Sequence, residues 1–124
     1  VTGEAGRFAV GALPAAPLAA AARFHAEVLP RIEAALASDA PRELTLVFEP
    51  ADHRHRGWRL AAVQELARAH APLRINAVAA DGRDTAGAEA IAATCGYLAA
   101  APGVTGQLLV LDSHGAGEVV GLPA

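Results

Sequence analysis

The chain has 124 residues and a formal charge of −3, with ten arginines, no lysine, 33 alanines, one cysteine (Cys95) and one tyrosine (Tyr97). The missing lysine excludes a phosphate-binding Walker loop and a Schiff-base mechanism. The acidic balance argues against a nucleic-acid partner held by phosphate neutralisation, and a single cysteine allows no internal disulfide.

A 53% apolar composition at this length predicts one globular domain over 1–124. Much of that content is alanine, so the expected core is thin, built of Ala, Val and Leu. No run of about 18 apolar residues and no charged-then-apolar leader is visible, which predicts no membrane partner and a cytoplasmic location.

Residues 1–14 read as a loose segment in which only Arg7–Val10 has the character of a strand. The glycines of Thr2-Gly3-Glu4-Ala5-Gly6 lack the spacing of a dinucleotide fingerprint. Pro14 and Pro17 suit a helix start. Leu18, Ala21, His25, Val28, Leu29, Ile32 and Leu36 then recur at helical steps, predicting an amphipathic helix over 17–37. Pro30 lies inside it and should bend it, because proline removes a backbone donor.

Leu44–Phe48 is a short apolar run expected to be a strand covered on both faces, with its edge exposed and open to pairing. Glu49–His55 reads as a polar loop interrupted by Pro50. A second helix is predicted over 56–70, with Leu60, Val63, Leu66, Ala67 and His70 facing inward. Leu73–Ala79 and Gln107–Leu111 are the next strands. Ala80–Ala86 is a loop between the first of these and a third helix over 88–100, where Cys95 packs with Ile91 and Leu98. Residues 113–124 read as a loose Gly-rich tail. This alternation argues for an α/β layer with right-handed crossovers.

Two phrases and a third shorter one carry a resemblance. They are Leu66-Ala67-Arg68 followed by Ala71-Pro72 and Arg74-Ile75-Asn76-Ala77-Val78-Ala79, then Val104-Thr105-Gly106-Gln107-Leu108-Leu109-Val110-Leu111-Asp112, and Val28-Leu29-Pro30 upstream. In that order they closely resemble the C-terminal half of the short-chain dehydrogenase/reductase family. The resemblance spans roughly residues 17–114. It implies a shortened Rossmann-like α/β domain of three layers, with three to four mostly parallel strands.

The same resemblance locates the family's working residues. Its catalytic Tyr and Lys positions fall on Asp52 and Arg56, and its Ser near Phe48, Glu49 and Pro50. Its active-site Asn falls near Pro17, the "PG" beside the nicotinamide on Ala80-Asp81, and the final "GG" on Ser113-His114. Asn76 is kept and resembles a structural residue of its strand. Asp52 cannot act as a neutral-pH acid in a surface loop, and Arg56 does not release a proton. The remaining candidates for cofactor contact are Ala80, Asp81 and Gly82.

The resemblance therefore implies a non-catalytic protein without a cofactor, acting by self-association or partner binding. The family's dimer helices correspond to 17–37 and 56–70, so a homodimer, or a complex with a full-length dehydrogenase, is expected. The competing expectation is an NAD(P)-dependent oxidoreductase whose cofactor site is completed by another subunit. A third is a small-ligand cleft near Ala80–Asp84.

Two polar clusters complete the reading. His53 and His55, with Glu49 and Asp52, offer metal-ligating groups, but the interleaved Arg54 and Arg56 oppose a cation. A solvated loop with Asp52 capping the helix is the expectation. Asp112-Ser113-His114 contains the residue types of a hydrolase triad, but adjacent residues cannot converge as a triad requires. Trp58 is left open between a contact surface and burial under the first helix.

Overall fold

A computed structural model describes residues 6–39, 41–81, 87–112 and 115–120. Five strands form one sheet in chain order: β1 (Arg7–Gly11), β2 (Glu43–Ala51), β3 (Arg74–Asp81), β4 (Leu108–Asp112) and β5 (Gly115–Val120). The first four are mutually parallel, and β5 runs antiparallel to β4. The α/β expectation thus holds, with four parallel strands.

Two local expectations change. Leu44–Phe48 is not an edge, because β1 pairs with it in parallel from Arg7 to Gly11. The short strand expected at Arg7–Val10 is the one that pairs there, extended to Gly11. Within the region read as a loose tail, Gly115–Val120 pairs along β4. A Gly-rich stretch looks unstructured by propensity, yet the β4 edge offers it a full ladder of partners.

The first helical run is α1 (Pro17–Arg23), a π turn (Phe24–Val28) and α2 (Leu29–Asp39). The bend expected at Pro30 takes the form of this π turn, in which the Leu29 N–H reaches the Phe24 carbonyl. A proline ring collides with the carbonyl four residues back in a regular α-helix, and the wider turn relieves that collision. A single 3₁₀ turn (His53–His55) leads into α3 (Arg56–Ala69), and α4 (Ala88–Ala99) precedes β4.

The strands alternate between two cores. Leu44, Leu46, Phe48, Ile75, Ala77, Ala79, Leu108 and Val110 pack with Phe24, Val28, Ile32, Val63 and Leu66 of the first helical run and α3. Val78, Ala80 and Leu111 pack with Cys95, Ala90 and Ile91 of α4 on the other side. The result is three layers. All three parallel crossovers step the same way across the sheet, but α4 lies on the opposite face from the other helices. The β3–α4–β4 crossover therefore has the opposite hand to the two before it. This departs from the uniform right-handedness expected of such units.

Asn76 joins two segments of backbone. Its side chain is buried, donates to the Val104 carbonyl (3.0 Å) and accepts from the Gln107 N–H (3.0 Å). The Ile75 N–H donates to the Thr105 hydroxyl and the Gly106 N–H to the Ile75 carbonyl. The turn before β4 is thereby fixed to β3. Among the described residues, no helix is long and apolar enough to cross a membrane.

Candidate functional site

The carboxyl ends of β1 and β2 separate, and both strands are irregular there. The β1–β2 register shifts between Ala9 and Gly11, with Gly11 at φ +85°, a conformation that favours glycine. The β2–β3 register shifts between Phe48 and Ala51, where Pro50 has no N–H to give. A cavity of about 310 Å³ opens between these ends and the start of α3. Its walls include Leu13, Pro14 and Ala15 on one side and Glu49, Pro50, Asp52 and His55 on the other.

Asp52 is one of the cavity's walls. Asp52 begins the 3₁₀ turn and accepts from the Arg54 backbone N–H (3.0 Å) and from its Nε (3.1 and 3.2 Å). The expected cap is thus present, on the 3₁₀ turn. Hydrogen bonds from Arg54 hold the Asp52 carboxyl below its usual range. An acid held ionised in this way has no proton to give at neutral pH. Arg56 opens α3 four residues later.

Of Phe48, Glu49 and Pro50 at the end of the strand, Phe48 is buried and its ring forms an aromatic cluster with Phe24 (5.8 Å between centroids) and Trp58 (5.7 Å). Trp58 also meets Phe24 at 5.4 Å, so it lies under the first helical run. Pro17 is the first residue of α1. The phenol of Tyr97 sits on α4, across the sheet from this corner, and is 60% exposed.

Of the two histidines offered to a metal, His55 is engaged elsewhere. His55 is buried, and both of its ring nitrogens are engaged. The Trp58 indole N–H can only donate, so Nδ1 accepts it (3.1 Å), and Nε2 donates to the Ala15 carbonyl (3.0 Å). No lone pair remains for a cation. His53 is exposed on the turn, and no group of three metal-ligating side chains occurs among the described residues. The imidazole instead ties the β1–α1 connection to the start of α3.

The candidates for cofactor contact are placed differently from expectation. Ala80 and Asp81 belong to β3, not to a loop, and Ala80 is buried beside Leu111. Gly82 and the rest of the 80–84 cleft lie outside the described residues, as do Thr2–Ala5 and Ser113-His114.

One residue of this corner escapes a reading of the sequence. Arg59 is only 6% exposed. Its guanidinium lies 4.5 Å over the Phe48 ring and 5.8 Å from that of Trp58, and Nη2 donates to the Glu49 carbonyl (3.0 Å). Its Nε has no hydrogen-bond partner among the described residues. Burial pushes its pKa down to about 10, against the opposing pull of Glu49. The signal was available: Arg59 precedes Ala62, Val63 and Leu66 at helical spacing, which places a charge on the inner face.

A second, shallower groove runs between the first helical run and α3. It is lined by Phe24, Leu29, Ala62, Leu66 and Ala69, with His25, Glu33 and Glu65 at its polar side.

Comparison with known proteins gives one match. Neither the curated proteins nor the solved structures yielded a similar chain. A family model described as short chain dehydrogenase-like protein matches residues 8–111, from the second residue of β1 to the penultimate residue of β4. With that match over most of its length, and with four parallel strands in a three-layer α/β domain, the chain belongs to the short-chain dehydrogenase-like family.

Proposed function

We propose that this protein is a non-catalytic short-chain dehydrogenase-like protein that acts by self-association or by binding a partner in the cytoplasm. The observation that carries the reading is the state of the catalytic corner. By the resemblance, the family's Ser falls near Phe48, Glu49 and Pro50 and its Tyr and Lys on Asp52 and Arg56, and Arg54 keeps Asp52 ionised. Reduction of a carbonyl needs a proton donor at that corner, and the only phenol lies across the sheet.

The helices that the family uses to dimerise are both present, as 17–39 and 56–69. The groove between them has an apolar floor of Phe24, Leu29, Ala62 and Leu66, and alanines allow a second helix pair to approach closely. A second copy of the chain is the proposed occupant, with a full-length dehydrogenase as the alternative partner.

Titration with NADH and NADPH tests the first half. Exciting Trp58, the only tryptophan, should give no saturable energy transfer to the nicotinamide. Saturable micromolar binding would overturn the non-catalytic reading in favour of an oxidoreductase. Light scattering across a concentration series tests the second half. A dimer is expected, and a monomer at every concentration removes self-association.

A further inference from the structure

We propose that the cavity at the carboxyl ends of β1 and β2 binds a small oxyanion, a carboxylate or phosphate group, and that Arg59 is the residue that receives it. The proposal does not depend on how the protein associates. It concerns a ligand site retained in a corner that has lost the family's acid–base groups.

The first observation is an under-satisfied buried cation. Arg59 lines the cavity and is 6% exposed, yet among the described residues its Nε has no hydrogen-bond partner and its Nη2 meets the neutral Glu49 carbonyl. A guanidinium carries five N–H donors. The rings of Phe48 and Trp58 attract its charge but accept none of those protons in a conventional hydrogen bond. Buried charges are costly unless they are paired. A planar oxyanion is the partner whose geometry suits this fork.

The second observation is the space itself. The cavity holds about 310 Å³, enough for a small metabolite rather than a dinucleotide. It lies outside the carboxyl ends of two parallel strands, the usual crevice of open α/β sheets. It also lies against the start of α3, a 14-residue helix whose first turn favours negative charge.

The other charged and titratable groups of the walls are accounted for. Arg54 is held by Asp52 at 3.1 Å on the rim. The His55 ring is occupied by Ala15 and Trp58. Glu49 remains as the carboxylate that acts on Arg59. Because Glu49 lines the same cavity, its carboxylate repels an incoming anion, which makes the site's behaviour specific. Removing the Glu49 charge should tighten anion binding, whereas removing the Arg59 charge should weaken it.

The experiment follows Trp58 emission during titration with sodium phosphate and, separately, sodium acetate, each against sodium chloride at equal ionic strength. A saturable change with phosphate alone, or with acetate alone, identifies which oxyanion the site takes. Arg59→Gln should weaken binding about tenfold or more, the loss expected for a charge-assisted hydrogen bond. Glu49→Gln, an exposed substitution that leaves the fold intact, should bind several-fold more tightly. It keeps the test decisive even where Arg59→Gln does not fold. Phosphate and acetate curves that coincide with chloride overturn the proposal. So does a Glu49→Gln affinity equal to that of the wild type.

Discussion

At the scale of single residues, the most consequential side chains are polar ones inside the molecule. Asn76 satisfies two backbone groups of the turn before β4. Asn76→Ala leaves the Gln107 N–H and the Val104 carbonyl without partners. Each such group costs about 1–3 kcal/mol, so a loss of at least about 2 kcal/mol is expected in a urea melt. A loss within experimental error would mean that water enters the turn. Glu43, at the start of β2, has the opposite character. Burial raises its pKa above the ordinary value, with Arg74 only partly offsetting the effect. A carboxyl whose folded pKa is raised favours the fold below its unfolded pKa, and this contribution is lost as pH rises through the folded value. Glu43→Gln should therefore raise the melting temperature at neutral pH. The advantage should disappear in acid, below the ordinary glutamate range. An equal advantage at both pH values would show that the gain is not electrostatic.

At the scale of elements, β5 closes one side of the sheet. Its ladder from Leu108–Val120 to Asp112–Gly115 covers β4, which would otherwise present unpaired N–H and C=O groups. Deleting residues 113–124 should lower the melting temperature and leave a species that aggregates as concentration rises, measured by turbidity. An unchanged melting curve would mean that β5 adds nothing to the β4 edge. The helices and central strands were legible from the sequence, because apolar periodicity in Leu18–Leu36 and the runs at Leu44–Phe48 and Leu73–Ala79 are local signals. Of the two flanking strands, Arg7–Val10 showed a strand's character without a visible partner, and Gly115–Val120 showed none. Arg7–Gly11 and Gly115–Val120 are rich in Gly and Ala, and each is held by a neighbour distant in sequence or by a ladder rather than by its own propensity. The same contrast holds in the site. Asp52 and Arg56 were placed by their spacing from a recognisable phrase. Whether His55 bound a metal or a backbone carbonyl depended on Ala15, forty residues earlier. The spacing of Arg59 from Ala62, Val63 and Leu66 set a charge on the inner face, but what that charge faces depended on the cavity.

At the scale of the whole molecule, one sheet face is divided between two helical elements whose outer surfaces meet along a groove. Leu29 and Ala62 lie in its floor, and Ala69, which is exposed, lies at its α3 side. His70 of the α3 end faces Glu33 of α2 at 4.0 Å, so the groove's walls are positioned by contacts within the chain. If a second copy seats on this surface, the long side chain of an arginine at Ala69 has to fit between the two protomers, and Glu33 and Glu65 at the groove's polar side meet only its charge. Overpacking a close contact in this way costs about 1–3 kcal/mol at each of its two symmetric copies, enough to shift a small interface toward monomer. Ala69→Arg should therefore convert the dimer to a monomer in light scattering. Its melting temperature at low protein concentration should stay near that of the wild type, because residue 69 is exposed within one chain. The control is a charge on the other face of the sheet. Tyr97→Arg, at an exposed position of α4, should leave the dimer intact. Dissociation by Tyr97→Arg but not by Ala69→Arg would move the interface from α1–α3 to the α4 side.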